Sequence, residues 1–304
     1  MRTGPARPRA VPAPLLAVDA PSLLYRAFFA LPDSIKDAEG RPVNALLGTA
    51  NLLLQAVEEH RPRAVVLCFG AEAATYRTEA FAGYHADRPP MPDDLRHQWE
   101  QARAFFGAFG WSHRDAGDLE ADDLLGTLAG LEREAGGTAL LFTGDRDMFQ
   151  CVDAQVAVLW PAGKGSPELI DVAGVRERYG IEPAQVPDFI ALRGDPSDGI
   201  PGAKGIGEKG AAQLLRDHGD LEALIALAAD PAAVTRRLLR PKVAEALRTQ
   251  ADQLRAFQDM ATLRNLDTPR PADAPTNFAH AAAAARAKGM KRLGERLEHA
   301  AKAT

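Results

Sequence analysis

What the chain lacks narrows its chemistry first. Only two cysteines occur in 304 residues, Cys68 and Cys151, each inside an apolar run. That excludes a disulfide framework and a thiolate zinc site, so the pair reads as buried free thiols of a reducing cytoplasm. No uninterrupted apolar run reaches the roughly 18 to 20 residues that a membrane span needs. The stretch from Met1 to Pro14 is rich in Pro and Arg and has no acid and no apolar centre. It therefore lacks the apolar core of a signal peptide, and its prolines break the helix of a transit peptide. A disordered tail over 1–14 is expected. An excess of base is missing too, since the net charge is −5. This counts against a grip on phosphate unless acids and bases are segregated along the chain. They are segregated.

What is present is ordinary globular composition, 46% apolar and 25% charged, at a length that suits one large or two modest domains. Leu15 to Val18 is an apolar run ending in Asp19 and reads as a buried strand. Ala64 to Phe69, Thr138 to Phe142 and Val156 to Trp160 read the same way. Between them, Asn44–Glu59, Arg96–Phe109 and Glu120–Glu134 carry helical apolar spacing. Continuously apolar strands alternating with helices predict an α/β fold, a parallel sheet covered on both faces. Past about Gly180 the strands stop. Short helices at 186–192, 209–215, 221–228 and 243–258 predict a small all-α module from about 182. The Ala-rich end, 271–304, reads as a helix or tail.

Acids fall where a parallel sheet presents its chemistry, at the carboxyl ends of strands. Asp19 ends the first strand, and Asp145 and Asp147 follow a later one in TGDRD. Glu120, Asp122 and Asp123 open a helix in LEADD, and Asp195 and Asp198 begin the helical module in GDPSD. Taken singly, each is explained by helix capping, the helix dipole or turn chemistry. Taken together, so many carboxylates at one sheet edge would repel strongly without cations. Oxygen-only donors suit Mg²⁺ or Mn²⁺. Two such ions about 4 Å apart are a standard arrangement for phosphodiester hydrolysis.

Asp198 is followed by GIPGAKGIGEKGA. Gly205, Gly207 and Gly210 match a dinucleotide fingerprint, but no strand precedes them, and a P-loop is excluded because Ala211 follows Gly210. The pattern fits a hairpin between short helices, with exposed backbone N–H groups and Lys204 and Lys209 beside them, able to hold one DNA phosphate without reading sequence. Downstream, Pro231–Gln250 sets Arg236, Arg237, Arg240, Lys242 and Arg248 against Glu245 alone, a net +4. A solvated face is the ordinary account of such a run. Beside a phosphate-binding hairpin it also suits tracking of a nucleic-acid backbone.

These residues resemble a family. From about Leu15 to Pro269, LLAVDA, LLYRAFFAL, TYRTEAFAGY, LEADDLLGTLA, LFTGDRDMFQ and GDPSDGIPGAKGIGEKGAAQLL occur in the order found in bacterial 5′ nucleases. That family comprises the N-terminal nuclease region of DNA polymerase I and its stand-alone 5′–3′ exonuclease and flap endonuclease relatives. The resemblance implies a twisted parallel sheet with flanking helices (PIN/resolvase-like) over 15–181 and a helical arch around 76–104. A helix–three-turn–helix module over 182–270 would follow. It implies Asp19, Glu120, Asp122, Asp123, Asp145, Asp147, Asp195 and Asp198 as ligands of two Mg²⁺ or Mn²⁺ ions. Among these, Asp122 and Asp145 would be central to catalysis. Arg26, Arg77, Tyr84, Arg88 and the hairpin residues Gly202, Lys204, Gly205, Gly207 and Lys209 would face DNA, with K⁺ in the hairpin. A monomer acting in the cytoplasm on junctions of duplex and 5′ single strand, in replication and repair, is expected.

Two departures stand out. Where the family has an Asp after the second strand, this chain reads Cys68-Phe69-Gly70-Ala71. Where the arch motif has a catalytic lysine, His85 stands in Tyr84-His85-Ala86-Asp87-Arg88. Histidine is a less constant cation than lysine. Within 76–104, four bases meet five acids, a net −1. The departures open a second reading, a structure-specific DNA-binding protein with reduced catalysis. An RNA-cleaving PIN nuclease, which shares sheet and acids but lacks the hairpin module, is the third.

Overall fold

The computed structural model describes residues 13–163 and 165–303. Apart from Ala13 and Pro14, the tail expected over 1–14 lies outside the described residues. In chain order the first elements are β1 (Leu15–Asp19), α1 (Ala20–Ala30), α2 (Asn44–His60), β2 (Ala64–Phe69), α3 (Thr75–Ala80) and α4 (Asp93–Gly107). They are followed by β3 (Ser112–Asp115), α5 (Ala121–Glu134), β4 (Ala139–Phe142), β5 (Val156–Trp160) and β6 (Glu168–Ile170). The segment expected to form an arch is therefore α3, a turn-rich link containing Pro89, Pro90 and Pro92, and most of α4.

One sheet in the order β3-β2-β1-β4-β5-β6 collects all six strands. The first five are parallel, but β6 runs antiparallel to β5, so the sheet is mixed where a parallel one was expected. The reason is length: a parallel return needs a crossover of about a dozen residues or more, and the link from Trp160 to Glu168 is shorter. β3 was missed because SHRD is polar, as an edge strand can be. Register aligns Val18 with both Leu67 and Phe142, which brings the carboxyl ends of β1, β2 and β4 side by side.

Strand residues alternate between two cores. Leu15 and Ala17 face one, with Leu124, Leu125 and Leu128 of α5. Leu16 and Val18 face the other, under α1, α2 and α4. The helical part comprises α6 (Val172–Tyr179), α7 (Val186–Arg193), α8 (Glu208–His218), α9 (Leu221–Ala229), α10 (Ala232–Thr235), α11 (Pro241–Thr249) and α12 (Ala251–Ala261). The helix expected over 243–258 is thus two, divided at Gln250. Phe189, Leu192, Leu215, Leu247 and Phe257 of this part join the α5-side core without a break.

The C-terminal end is neither a single helix nor a tail. It forms α13 (Phe278–Ala287) and α14 (Lys291–Ala303), which bury Ala281, Ala285, Leu293 and Leu297 in the core beneath α2 and α4. To reach that face, residues 263–277 run as an extended strap across the sheet domain. Arg264 N donates to Asp123 Oδ1 (2.7 Å), Leu266 N to Thr127 Oγ1 (3.0 Å), Ala274 N to Arg63 O (2.9 Å) and Asn277 N to Phe109 O (2.7 Å). Midway, fully buried Glu132 receives Arg270 in a fork (2.9 and 3.1 Å) and also pairs with Arg63. Removing one partner of a buried pair leaves the others desolvated without compensation. Glu132→Gln is therefore expected to lower unfolding free energy by about 3 kcal/mol. Asp273→Asn, whose carboxylate is 77% exposed against Arg63, is expected to cost less than about 1 kcal/mol. Urea unfolding of both variants checks the order.

Candidate metal and DNA site

The strand ends open into a cavity of about 670 Å³. Asp19, Glu72, Glu120, Asp122, Asp145, Asp147 and Asp198 line it, with Arg77, His85 and Arg88 as the basic groups. Of the expected ligands, Asp123 and Asp195 do not reach it. Asp123 is fully buried on the far side of the α5 start, where its oxygens accept from Arg264 N, Glu120 N and both terminal nitrogens of Arg77. It holds the strap and the first turn of α5. Asp195 is occupied by Arg193 (3.1 Å) and by the Ser197 backbone and hydroxyl.

The remaining acids differ in how far the protein satisfies them. Asp19 caps α1 through Ser22 N (3.0 Å) and accepts from Thr143 Oγ1 (2.6 Å). That hydroxyl in turn accepts from Asp145 N (2.9 Å), so one threonine links the acids of β1 and β4. Glu120 accepts from Ala74 N (2.8 Å), Tyr84 Oη (3.0 and 3.1 Å) and Arg77 (3.0 Å). By contrast, the carboxylates of Asp122 and Asp147 accept no hydrogen bond from a described residue. Burial, followed by the charge of Asp145, pushes both well above the usual carboxylate range. Asp145 is raised to about 7, by burial first and then by Asp198. Asp19 is raised by burial against the pull of its hydrogen bonds from Thr143 and Ser22.

Among the described residues, no three His, Cys, Asp or Glu side chains stand close enough together to hold an ion by themselves. The acids share a cavity but are not a closed cage. Mutual repulsion favours this spread, and hard divalent ions that keep several waters do not need a dry cage. The donors are all oxygen and two of them are unsatisfied, so the set fits such ions.

Arg77 has a different place from the one expected of a DNA contact. Only 4% exposed, it donates Nε–H to Met260 O (2.9 Å) and pairs with Glu120 and Asp123. Burial opposes its charge, but the two carboxylates outweigh burial and hold it protonated. It ties α3, α5 and α12 together behind the cavity. Arg26 lies outside the cavity lining, its guanidinium on Ala162 O (3.1 Å). Arg88 is 43% exposed at the rim, 4.0 Å from Asp198. His85 is anchored at both ring nitrogens, to Glu72 O and Asp198 Oδ1 (3.0 Å each), and stacks on Tyr84 at 4.0 Å. Both partners are acceptors, an arrangement that an imidazolium satisfies with its two N–H groups. His85 N also donates to Asp198 O (3.1 Å), so this turn latches the sheet domain to the helical part.

Gly70 is more than a missing carboxylate. A Cβ there would lie 2.6 Å from Leu119 O and 2.7 Å from Ala121 N, because the start of α5 packs directly on this backbone. Sequence reading also missed Glu72, two residues on, and an apolar flank of Tyr25, Phe29, Met91 and Trp99. Phe29 is 71% exposed, its ring edge-on to Phe28 at 5.1 Å. In the hairpin, Gly202 (φ 71°) lets its backbone pack on Arg193 and Gly194, while Lys204, Gly205, Gly207 and Lys209 are exposed.

Two family models cover the chain: "5'-3' exonuclease, N-terminal resolvase-like domain" over residues 14–180, and "5'-3' exonuclease, C-terminal SAM fold" over 181–296. A 5'-3' exonuclease of Streptomyces coelicolor is 39% identical over 246 residues, 76% of this chain and 81% of the relative. DNA polymerase I of Mycobacterium leprae is 40% identical over 238 residues, 77% of this chain but only 25% of that longer protein. Among solved structures, a zinc-bound T5 5'-exonuclease superposes with a TM-score of 0.68 at 14% identity, over 94% of this chain and 97% of its own. The catalytic core of Rad2 in complex with DNA substrate gives 0.62 at 16% identity, over 97% and 95%. These two show the shared fold; the sequence matches carry the kinship. With a resolvase-like sheet domain matched over residues 14–180 and a SAM-like helical part over 181–296, the chain belongs to the 5′–3′ exonuclease family.

Proposed function

We propose that the chain is a divalent-metal-dependent DNA 5′ nuclease that hydrolyses phosphodiester bonds at a 5′ end or at the base of a 5′ flap, in replication and repair. The observation that carries this reading is the seven-carboxylate cavity in which the carboxylates of Asp122 and Asp147 have no donor among the described residues. Bound Mg²⁺ or Mn²⁺ would supply the Lewis acidity that activates water and stabilises the leaving oxygen. Asp19, Asp122, Asp145, Asp147 and Asp198 would hold the ions, and Glu120, already fixed by Arg77 and Tyr84, would orient the start of α5. Arg88, exposed at the rim, would turn the strand toward the acids. The hairpin from Gly202 to Lys209 would hold a phosphate of the duplex through backbone N–H groups and two lysines. The apolar flank suits unpaired bases, which stack on aromatic faces whatever their sequence.

A binding protein without catalysis is not favoured, since a cluster of unneutralised acids repels a DNA backbone unless ions occupy it. The PIN reading is set aside by the hairpin module, which is present and matched as part of the family. A 5′-labelled flap incubated with Mg²⁺ is expected to yield product. Asp145→Ala is expected to slow cleavage at least about 10²-fold, the scale lost when transition-state charge stabilisation is removed. Equal rates in both proteins would overturn the reading.

The same acids set a pH dependence. A carboxyl whose folded pKa is raised binds more protons folded than unfolded, so its stabilising effect is full at low pH and is lost as pH rises through the folded value. With Asp145 moved from 3.8 to about 7, the chelator-treated protein is expected to lose thermal stability across that window. Added Mn²⁺ is expected to reverse the loss at neutral pH, and Asp145→Asn to flatten it. Melting temperatures measured against pH, with chelator and with Mn²⁺, check all three.

A further inference from the structure

One strongly charged surface takes no part in the site described above. At the corner between α10 and α11, Arg236, Arg237, Arg240 and Lys242 are exposed, and Arg248 is exposed further along α11. None of the five forms an ion pair or side-chain hydrogen bond with a described residue. That is unusual for this molecule, whose arginines are mostly paired. Nearby, Arg255 bridges Glu222 and Asp252, and Arg193 reaches Asp195 and Glu208. Between Pro231 and Gln250 the sequence sets five cations against one acid, Glu245, in a protein of net charge −5. Crowded like charges raise the folded state's energy unless an anion meets them.

Helix α11 joins the corner at its start to the glycine hairpin at its end. Lys204 N donates to Gln250 Oε1 (2.9 Å), and Gln250 is the residue dividing α11 from α12. Lys204 and Lys209 are exposed and equally unpaired. We propose that the α10–α11 corner is a second phosphate-contact surface, which holds the backbone of the duplex arm beyond the phosphate gripped by the hairpin. This rests on the nuclease reading. The occupant is a DNA backbone rather than an acidic protein because the corner lies along the helix whose other end contacts the hairpin proposed to hold a phosphate. Long, flexible cations without fixed partners also suit a sequence-independent polyanion.

The test is the salt dependence of binding, since each neutralised phosphate contributes a slope of about 0.9 in log K against log salt. Arg236→Gln/Arg240→Gln/Lys242→Gln is expected to flatten that slope by about 2 to 3 on a flap with a long duplex arm. It is expected to weaken affinity there while leaving a flap with a truncated arm unchanged. Fluorescence anisotropy on both substrates, beside Lys204→Gln/Lys209→Gln, reads this out. If only the hairpin variant loses binding, the corner proposal is overturned and the nuclease reading stands. If the natural protein shows no preference for junction DNA at all, the reading beneath it fails as well. All three corner residues are exposed, so circular dichroism and melting temperature are expected to match the natural protein.

Discussion

Electrostatic repulsion within a confined volume is the constraint on which this structure depends. Three strand ends, the start of one helix and a loop of the helical part bring acids to a common cavity. Every neighbouring element is arranged around that charge. Thr143 and Ser22 satisfy Asp19; Arg77 and Tyr84 satisfy Glu120; His85 and Arg88 flank Asp198. What the protein leaves unsatisfied, at Asp122 and Asp147, is where a cation is most favourable. The fold builds the site by withholding donors from two positions as much as by supplying acids at seven.

Much of this was legible in the chain because the signals were local. An apolar run that stops at an acid marks both a buried strand and a carboxylate at its end, as at Val18-Asp19 and Phe142 to Asp145. What was not legible depended on partners remote in sequence. Arg77 looks like a surface cation until Glu120, Asp123 and the carbonyl of Met260 are placed around it. Asp123 sits in the same helical turn as Asp122, yet a strap that begins about 140 residues later claims its oxygens. A polar edge strand and a short antiparallel return carry no apolar pattern and so escaped notice. Single glycines are the hardest to read, for the space around Gly70 is filled by atoms 49 to 51 positions away.

The helical part and the C-terminal pair divide the labour of stabilisation. The former extends the α5-side core, so the cavity-facing loop of Asp198 rests on the same packed body as the strand ends. The latter returns through the strap to the opposite core. The chain thus clamps its sheet from both faces, with buried Glu132 and its two arginines pinned between. Stability is gathered far from the cavity, which leaves the cavity free to hold charge that is unfavourable to stability.

The tight approach of the α5 start to Gly70 limits what substitution can achieve at that position. The volume beside the Gly70 backbone is occupied by main chain, Leu119 O and Ala121 N lying 2.6 and 2.7 Å from where a Cβ would stand. A side chain introduced there would meet a filled space rather than a vacant ligand position. Placing an acid there would require the loop from Leu119 to Ala121 to shift at the same time, carrying Glu120 with it.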